Sequence, residues 1–148
     1  MVIERATFPL PDIDEPLTAP FFAAAARDEL AIPYCDACTK WVWYPQTACS
    51  ECGGVLQWRP VSGRATLFSW AVVERAFLPA YADQVPFVTA LAALDEDPFV
   101  RICTYLVDTD PQLLRADEPI EVVFRDLAFP TVLGASVRVP MFVVTPLR

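Results

Sequence analysis

Two Cys-x-x-Cys pairs, Cys35/Cys38 and Cys49/Cys52, stand ten residues apart in a chain of 148 residues that contains no histidine. A Cys-x-x-Cys pair places two thiolates on one tight turn at the separation a tetrahedral ion needs. Two such turns facing each other close a four-sulfur shell with metal–sulfur bonds of about 2.3 Å. That requirement constrains the fold more than any other feature, because the two turns must be held face to face by short strands. Gly53, directly after the second pair, supplies the backbone freedom that such a turn needs, whereas Thr39 after the first pair suits it less well. A closed shell of four sulfurs leaves no position for water or substrate, so the metal is expected to be structural. Zinc is favoured over iron, since the rest of the chain offers no evident redox partner.

Absence of histidine removes the commonest general base and every histidine-containing metal site. The formal charge is −8, and ten arginines and one lysine are scattered without a cluster. Nucleic-acid binding rests on clustered positive charge, so a nucleic-acid partner is not expected. The chain shows neither a basic–apolar leader nor an apolar run near the roughly 18 residues that span a bilayer. We therefore expect no membrane association and a cytoplasmic location, where thiols stay reduced and cysteines at tight spacing read as ligands rather than disulfides. The fifth cysteine, Cys103, lies in FVRICTYLV on the face of Arg101 and Tyr105 and reads as a small packed residue.

Residues 8–20, FPLPDIDEPLTAP, read as an extended arm, with Thr18 placed to cap a helix running through FFAAAARDEL and Pro20 tolerated in its first turn. So short a helix must pack through Phe21 and Phe22, on its own core or on a neighbour. Alternation of Leu30, Ile32 and Tyr34 predicts a strand into the first cysteine pair, and Val55–Trp58 a return strand. Five further strands are predicted, in RATLFSWAVVERA (64–76) and over 85–95, 99–107, 119–127 and 136–144, with a turn or short helix at QLLR after the third. The count fits a small closed barrel of the OB type better than a sandwich. The predicted organisation is mainly β: an arm and helix (1–29), a rubredoxin-like zinc ribbon (30–59) and a five-stranded OB-fold barrel (60–148).

Between the cysteine pairs, Trp41, Trp43 and Tyr44 serve either to pack the metal module onto its barrel or to form a hydrophobic docking surface or acyl-channel wall. Six arginines near the barrel strands, Arg64 among them, include candidates to hold the phosphates of a nucleotide-bearing cofactor such as coenzyme A.

The "PFF" helix, "EL.I..C..C", "P..ACSECG", "VSGRATLFSW", "PFVTALAALDE" and "PIEVVF" occur in an order that resembles the zinc-ribbon plus OB-fold proteins found beside thiolase-like enzymes, a family long labelled a domain of unknown function. The similarity spans roughly residues 18–142. Relatives of this kind have glycine where Asp28 and Thr39 stand here. The resemblance implies a non-catalytic zinc-binding subunit: a thiolase-like partner holds the reactive groups, and this chain helps to form the partner's acyl-CoA site. The reactions implied are thiolytic or Claisen chemistry on acyl-CoA, or retro-aldol cleavage as in steroid side-chain degradation. Phe21, Phe22, Trp41, Trp43, Tyr44 and Arg64 are the candidate contacts to the partner or the coenzyme A thioester, and no residue is assigned a catalytic role. Two alternatives stand beside it: a single-stranded nucleic-acid-binding barrel and a rubredoxin-like iron electron carrier.

Overall fold

The computed structural model describes residues 10–127 and 136–146. One helix, α1 (Ala19–Ala25), precedes eight strands: β1 (Ala31–Cys35), β2 (Lys40–Trp41), β3 (Leu56–Pro60), β4 (Arg64–Val73), β5 (Phe87–Leu94), β6 (Arg101–Leu106), β7 (Pro119–Leu127) and β8 (Val137–Val144). β1 lies between β2 and β3 in an antiparallel sheet, while β4–β8 close into a barrel in the order β4-β5-β6-β8-β7. The barrel seam between β6 and β8 is parallel and narrow, with the single register pair Leu106↔Phe142. This is the predicted mainly-β architecture, with an N-terminal helix, a ribbon and a five-stranded barrel consistent with the OB fold.

Several boundaries differ from expectation. Residues 8 and 9 lie outside the described residues, and the rest of the predicted extended arm is largely turns: Asp12 accepts the amide of Asp14 at 3.0 Å, and a turn at residues 16–18 leads into the helix. Thr18 occupies the N-cap position, but its hydroxyl does not cap the helix. The Glu15 carboxylate and carbonyl accept the Thr18 amide instead, at 3.1 and 3.0 Å. α1 stops at Ala25, short of the predicted Leu30. Glu29 N–H reaches back to Ala24 O (3.1 Å) and Asp28 N–H to Ala25 O (3.0 Å), with Asp28 at φ 59°. That is the 6→1 and 5→2 closure glycine usually makes. The Arg138 guanidinium donates to the Asp28 carboxylate at 2.5 Å and holds its pKa below the ordinary carboxylate value. Asp28 serves at this position because short Asp tolerates the left-handed region and finds a partner there.

Strand β1 is buried on both faces except at Tyr34, rather than alternating, because it is the middle strand of the ribbon sheet and packs against both α1 and the barrel. Its Ile32, with Leu30 just before the strand, shares one apolar cluster with Leu67, Ile102, Ile120 and Phe142 of the barrel. The return strand runs over Leu56–Pro60, shifted from the predicted 55–58, and Val61 N–H still bonds Leu30 O at 2.8 Å. The barrel strands match in number and chain order, except that β4 stops at Val73, three residues short of the predicted Ala76, and other ends are trimmed by a residue or two, as near Pro86 and Pro98. β4 carries a bulge at Phe68, between Leu67 and Ser69, which bends the strand around the barrel. Small alanines of β5 (Ala90, Ala92) share the apolar cluster with the large Leu67 and Phe142, both fully buried, the small-against-large pattern that suits a narrow barrel interior. The QLLR segment forms a single 3₁₀ turn, Pro111–Leu113, capped by the Asp110 carboxylate on the Gln112 amide at 3.0 Å.

Gly63, in the turn before β4, sits at φ 79°, and a Cβ there would collide with Cγ1 of Val122. Its carbonyl accepts Val122 N–H at 2.9 Å, tying the β4 entry to β7. The backbone conformation and the missing space both demand glycine.

Candidate metal centre and partner face

β1 delivers Cys35 at its last residue and the turn before β2 delivers Cys38, while Cys49 and Cys52 sit on the turn before β3. The four Sγ atoms lie within 4.8 Å of one another. Cys35 and Cys52 sulfurs are 3.6 Å apart, and those of Cys38 and Cys49 are 3.9 Å apart. A tetrahedral shell with metal–sulfur bonds near 2.3 Å requires sulfurs about 3.8 Å apart. A disulfide would require about 2.05 Å, so the geometry is that of a metal shell.

The two turns are built alike but from different residues. In the second, Cys49 O accepts Gly53 N–H at 2.8 Å and Cys49 N–H bonds Gly54 O at 2.9 Å. Gly53 is at φ 70°, and Gly54 N–H points at Cys52 Sγ from 3.3 Å. A Cβ on Gly54 would approach that sulfur to 3.1 Å, so the sulfur cradle has no room for a side chain there. In the first turn Thr39 takes the role of Gly53, at φ 53°, and its hydroxyl donates to Cys38 O at 2.8 Å. Lys40 and Glu51 form an ion pair that bridges the two turns outside the sulfurs.

Electrostatics favour a cation at this place. The backbone amide of Cys52, followed by that of Glu51, holds the Cys49 thiol down at about 7. The Cys52 thiol and then burial push Cys38 up to about 12. Four sulfurs so close cannot all ionise unless positive charge sits between them. The donor set fits zinc, which would supply that charge and cross-link the turns, with Cys35, Cys38, Cys49 and Cys52 as its ligands.

The remaining predicted site residues fall into two places. Phe21 packs on the common core and on Trp43, with ring centroids 5.7 Å apart. Phe22 meets Phe21 edge-on at 5.4 Å, and Tyr44 tilts over Trp43 at 5.2 Å while staying 60% exposed. Trp41 also packs on the core and meets Tyr34 edge-on at 4.9 Å. Thus Trp41 and Trp43 help to seat the ribbon on the barrel, and only Tyr44 of the three is largely solvent-facing. Arg64 lies elsewhere, at the entry of β4, where it bonds Asp95 at 3.3 Å in a cleft with Glu121 and Thr145.

Cys103 corrects a second expectation: it is exposed, not packed. Alternation along β6 turns Ile102, Thr104 and Leu106 inward and leaves Arg101, Cys103 and Tyr105 outside. Cys103 and Tyr105 line an apolar groove of about 340 Å³ that runs over the β6–β8 seam between Phe21, Leu127 and Val139. Sequence reasoning named the face and missed the groove, whose cause is the parting of β6 from β8 on one side of their single register pair.

Fold and site together define a class: a four-cysteine ribbon, positioned to bind a metal, mounted on an OB barrel. Residues 22–56 match the family described as ChsH2, rubredoxin-like zinc ribbon domain, and residues 58–125 the family described as ChsH2, C-terminal OB-fold domain. The chain belongs to this ChsH2 (DUF35) family of zinc-ribbon and OB-fold proteins. A DUF35 domain-containing scaffold protein of Methanothermobacter thermautotrophicus is 30% identical over 87 residues, covering 57% of this chain and 63% of that protein. The chain thus spans less than two thirds of the length of that curated relative. Among solved structures, a chain of the Ltp2-ChsH2(DUF35) aldolase superposes with a TM-score of 0.75 at 25% identity, over 93% of this chain and 98% of that one. A DUF35-family protein of unknown function from Sulfolobus solfataricus shares the fold, with a TM-score of 0.58 at 10% identity over 88% and 87% of the two chains. No helix among the described residues is long and apolar enough to cross a membrane.

Proposed function

We propose that the chain is a non-catalytic, zinc-stabilised subunit that binds a thiolase-like enzyme and helps to form its acyl-CoA site. Thiolysis, Claisen condensation or retro-aldol cleavage of acyl-CoA, including steroid side-chain substrates, would then be chemistry of the partner. The observation that carries this reading is the superposition over nearly the whole length of a chain from an aldolase complex. The relative called a scaffold protein supports the same role. The chemistry available agrees: a sequence without histidine, and four thiolates committed to one another. A reducing compartment such as the cytoplasm suits those thiolates.

Co-expression with each thiolase-like enzyme of the source organism tests the proposal. We expect one of them to co-purify with this chain, and metal analysis to return one zinc per chain. That enzyme's acyl-CoA cleavage should fall at least about tenfold when the chain is withheld, the loss expected when a site is only partly assembled. Turnover of an acyl-CoA by the isolated chain, or partner activity indifferent to its presence, would defeat the reading.

A further inference from the structure

Outward residues of β4, β5 and β6 form a sheet face with a composition unusual for solvent. Ser69, Leu91 and Cys103 stand in one cross-strand row, and Ala71, Thr89 and Tyr105 in the next. None of the six is charged. The outer face of a half-solvated antiparallel sheet ordinarily alternates polar against its core side. Here two full rows lack any ionic group in a chain that carries 30 ionisable acids and bases of fixed sign. At the corner of this face stands Arg101, paired across the strands with Ala93. Its guanidinium lies over the Phe68 ring, 3.7 Å from the centroid, a contact that favours this placement of the side chain. Its Nε–H is buried and meets no acceptor.

Among the described residues, the other barrel arginines of β4, β7 and β8 each reach a carboxylate: Arg64 reaches Asp95, Arg125 Asp108, and Arg138 both Asp28 and Asp126. Arg75 and Arg115 reach none but are exposed, where water serves them. Arg101 is half-buried and reaches none, although acids outnumber bases by nineteen to eleven. A part-buried guanidinium with an orphaned donor, stacked on a ring, lacks its acceptor among the described residues.

We propose that the β4–β6 face is the docking surface for a polypeptide partner that places an Asp or Glu carboxylate on Arg101 and apolar side chains over Leu91 and Cys103. It rests on the reading of the chain as a partner-binding subunit and names the contact. Charge decides the occupant: the single cation calls for an anion, and Arg–carboxylate pairing is bidentate and strong where water is excluded. Shape agrees at the uncharged rows, because the depression among Ser69, Ala71, Leu91 and Cys103 holds only about 180 Å³, apart from the groove of about 340 Å³ over the seam that Thr89, Cys103 and Tyr105 also line. Pockets that enclose a small organic ligand start near 300 Å³. A flat, uncharged face with one charged corner is suited to a protein surface.

The test uses the thiolase-like enzyme that co-purifies with the wild-type chain, and measures its Kd for purified zinc-loaded variants. Arg101→Met keeps the aliphatic stem over Phe68 and removes the charge. It should weaken binding by at least about thirtyfold and flatten the salt dependence, as loss of a desolvated charge pair does. Ala71→Glu, at an exposed position in the uncharged rows, buries an unpaired carboxylate under the partner and should cost about tenfold. Arg101→Lys should fall between Arg101→Met and wild type, because it keeps charge without the planar fork. All three should melt with the wild type. Wild-type Kd for Arg101→Met and Ala71→Glu would sink this surface while leaving the subunit reading intact. An unchanged Kd with a raised KM for acyl-CoA in the complex would assign Arg101 to a ligand phosphate and overturn the polypeptide occupant. If no thiolase-like enzyme binds the wild-type chain, both proposals fall together.

Discussion

Ribbon and barrel are held together by different means, and the contrast shows at their turns. The barrel closes on apolar side chains: Leu67, Ile120 and Phe142 are within 2% of full burial, and every strand has two neighbours. The metal module beyond β1 has no comparable core, since β2 and β3 are at most half-buried. Its long connection from residue 42 to 55 contains no helix or strand, and four sulfurs hold its ends. Accordingly the ribbon carries a β-branched residue, Thr39, at φ 53°, whereas positive φ in the barrel turns falls to Gly63, Asp108 and Asp117, residue types that adopt it at less cost. A metal shell supplies enough free energy to carry a strained turn, because binding of a structural ion is folding free energy. A β-turn that closes a packed barrel has no such reserve.

Breaking the shell should give the largest effect. Cys49→Ala, or chelation of the wild type, is expected to cost on the order of 5 kcal/mol and to release the metal. The barrel should keep its β circular-dichroism signal while Trp41 and Trp43 fluorescence shifts to the red, because their seat is the ribbon. If Cys49→Ala retains one zinc and melts with the wild type, the ribbon is not held as described. Next in size is Phe142→Ala, at a position with no exposure, which should lose about 3–5 kcal/mol in denaturant unfolding through the cavity it leaves. Metal content should remain at one per chain. Loss of the metal as well would show that the shared Leu30–Ile32 cluster makes the two regions one cooperative unit.

Sequence reading recovered the features that follow strict periods and failed where distant groups decide. The cysteine spacing announces the shell directly, and the strand-forming residues of PIEVVFRDL place β7 over 119–127 to the residue. The end of α1 was not legible, since it depends on Asp28 meeting Arg138, 110 residues away in the chain. Alternation in β6 put Cys103 on one face with Arg101 and Tyr105 but read it as packed, and nothing local says that β8 departs and leaves that face open. The bulge at Phe68 is likewise a property of pairing with β5, not of the strand's own residues. The aromatic run 41–44 offered packing or docking as alternatives, and only the fold separates seated Trp41 and Trp43 from exposed Tyr44.

Gly63→Ala tests the barrel side of the contrast at its turn. The added methyl meets Val122 and the backbone stays at positive φ, so a loss of about 2–3 kcal/mol is expected from strain and overpacking together. Zinc content should not change. A near-neutral result would mean that β7 yields, and that the barrel turn is no stricter than the ribbon's.

The smallest and most discriminating change is Thr39→Gly. Positive φ costs a β-branched residue on the order of 1–2 kcal/mol, and glycine removes that strain. It also removes the hydroxyl bond to Cys38 O, whose net worth is about 0.5–1 kcal/mol, and adds some backbone entropy to the unfolded chain. The balance predicts a gain of at most about 1 kcal/mol in the zinc-loaded protein, read as a rise in the denaturant midpoint with an unchanged slope. Thr39→Asn, which tolerates the left-handed region better than Thr, should lie between. Competition with a chelator separates the causes: if strain in the first turn is carried by the metal shell, Thr39→Gly should also hold zinc more tightly. A variant that unfolds earlier than wild type would show that Thr39 is there for its hydroxyl, and that the first turn is as well fitted to its residue as the second is to Gly53.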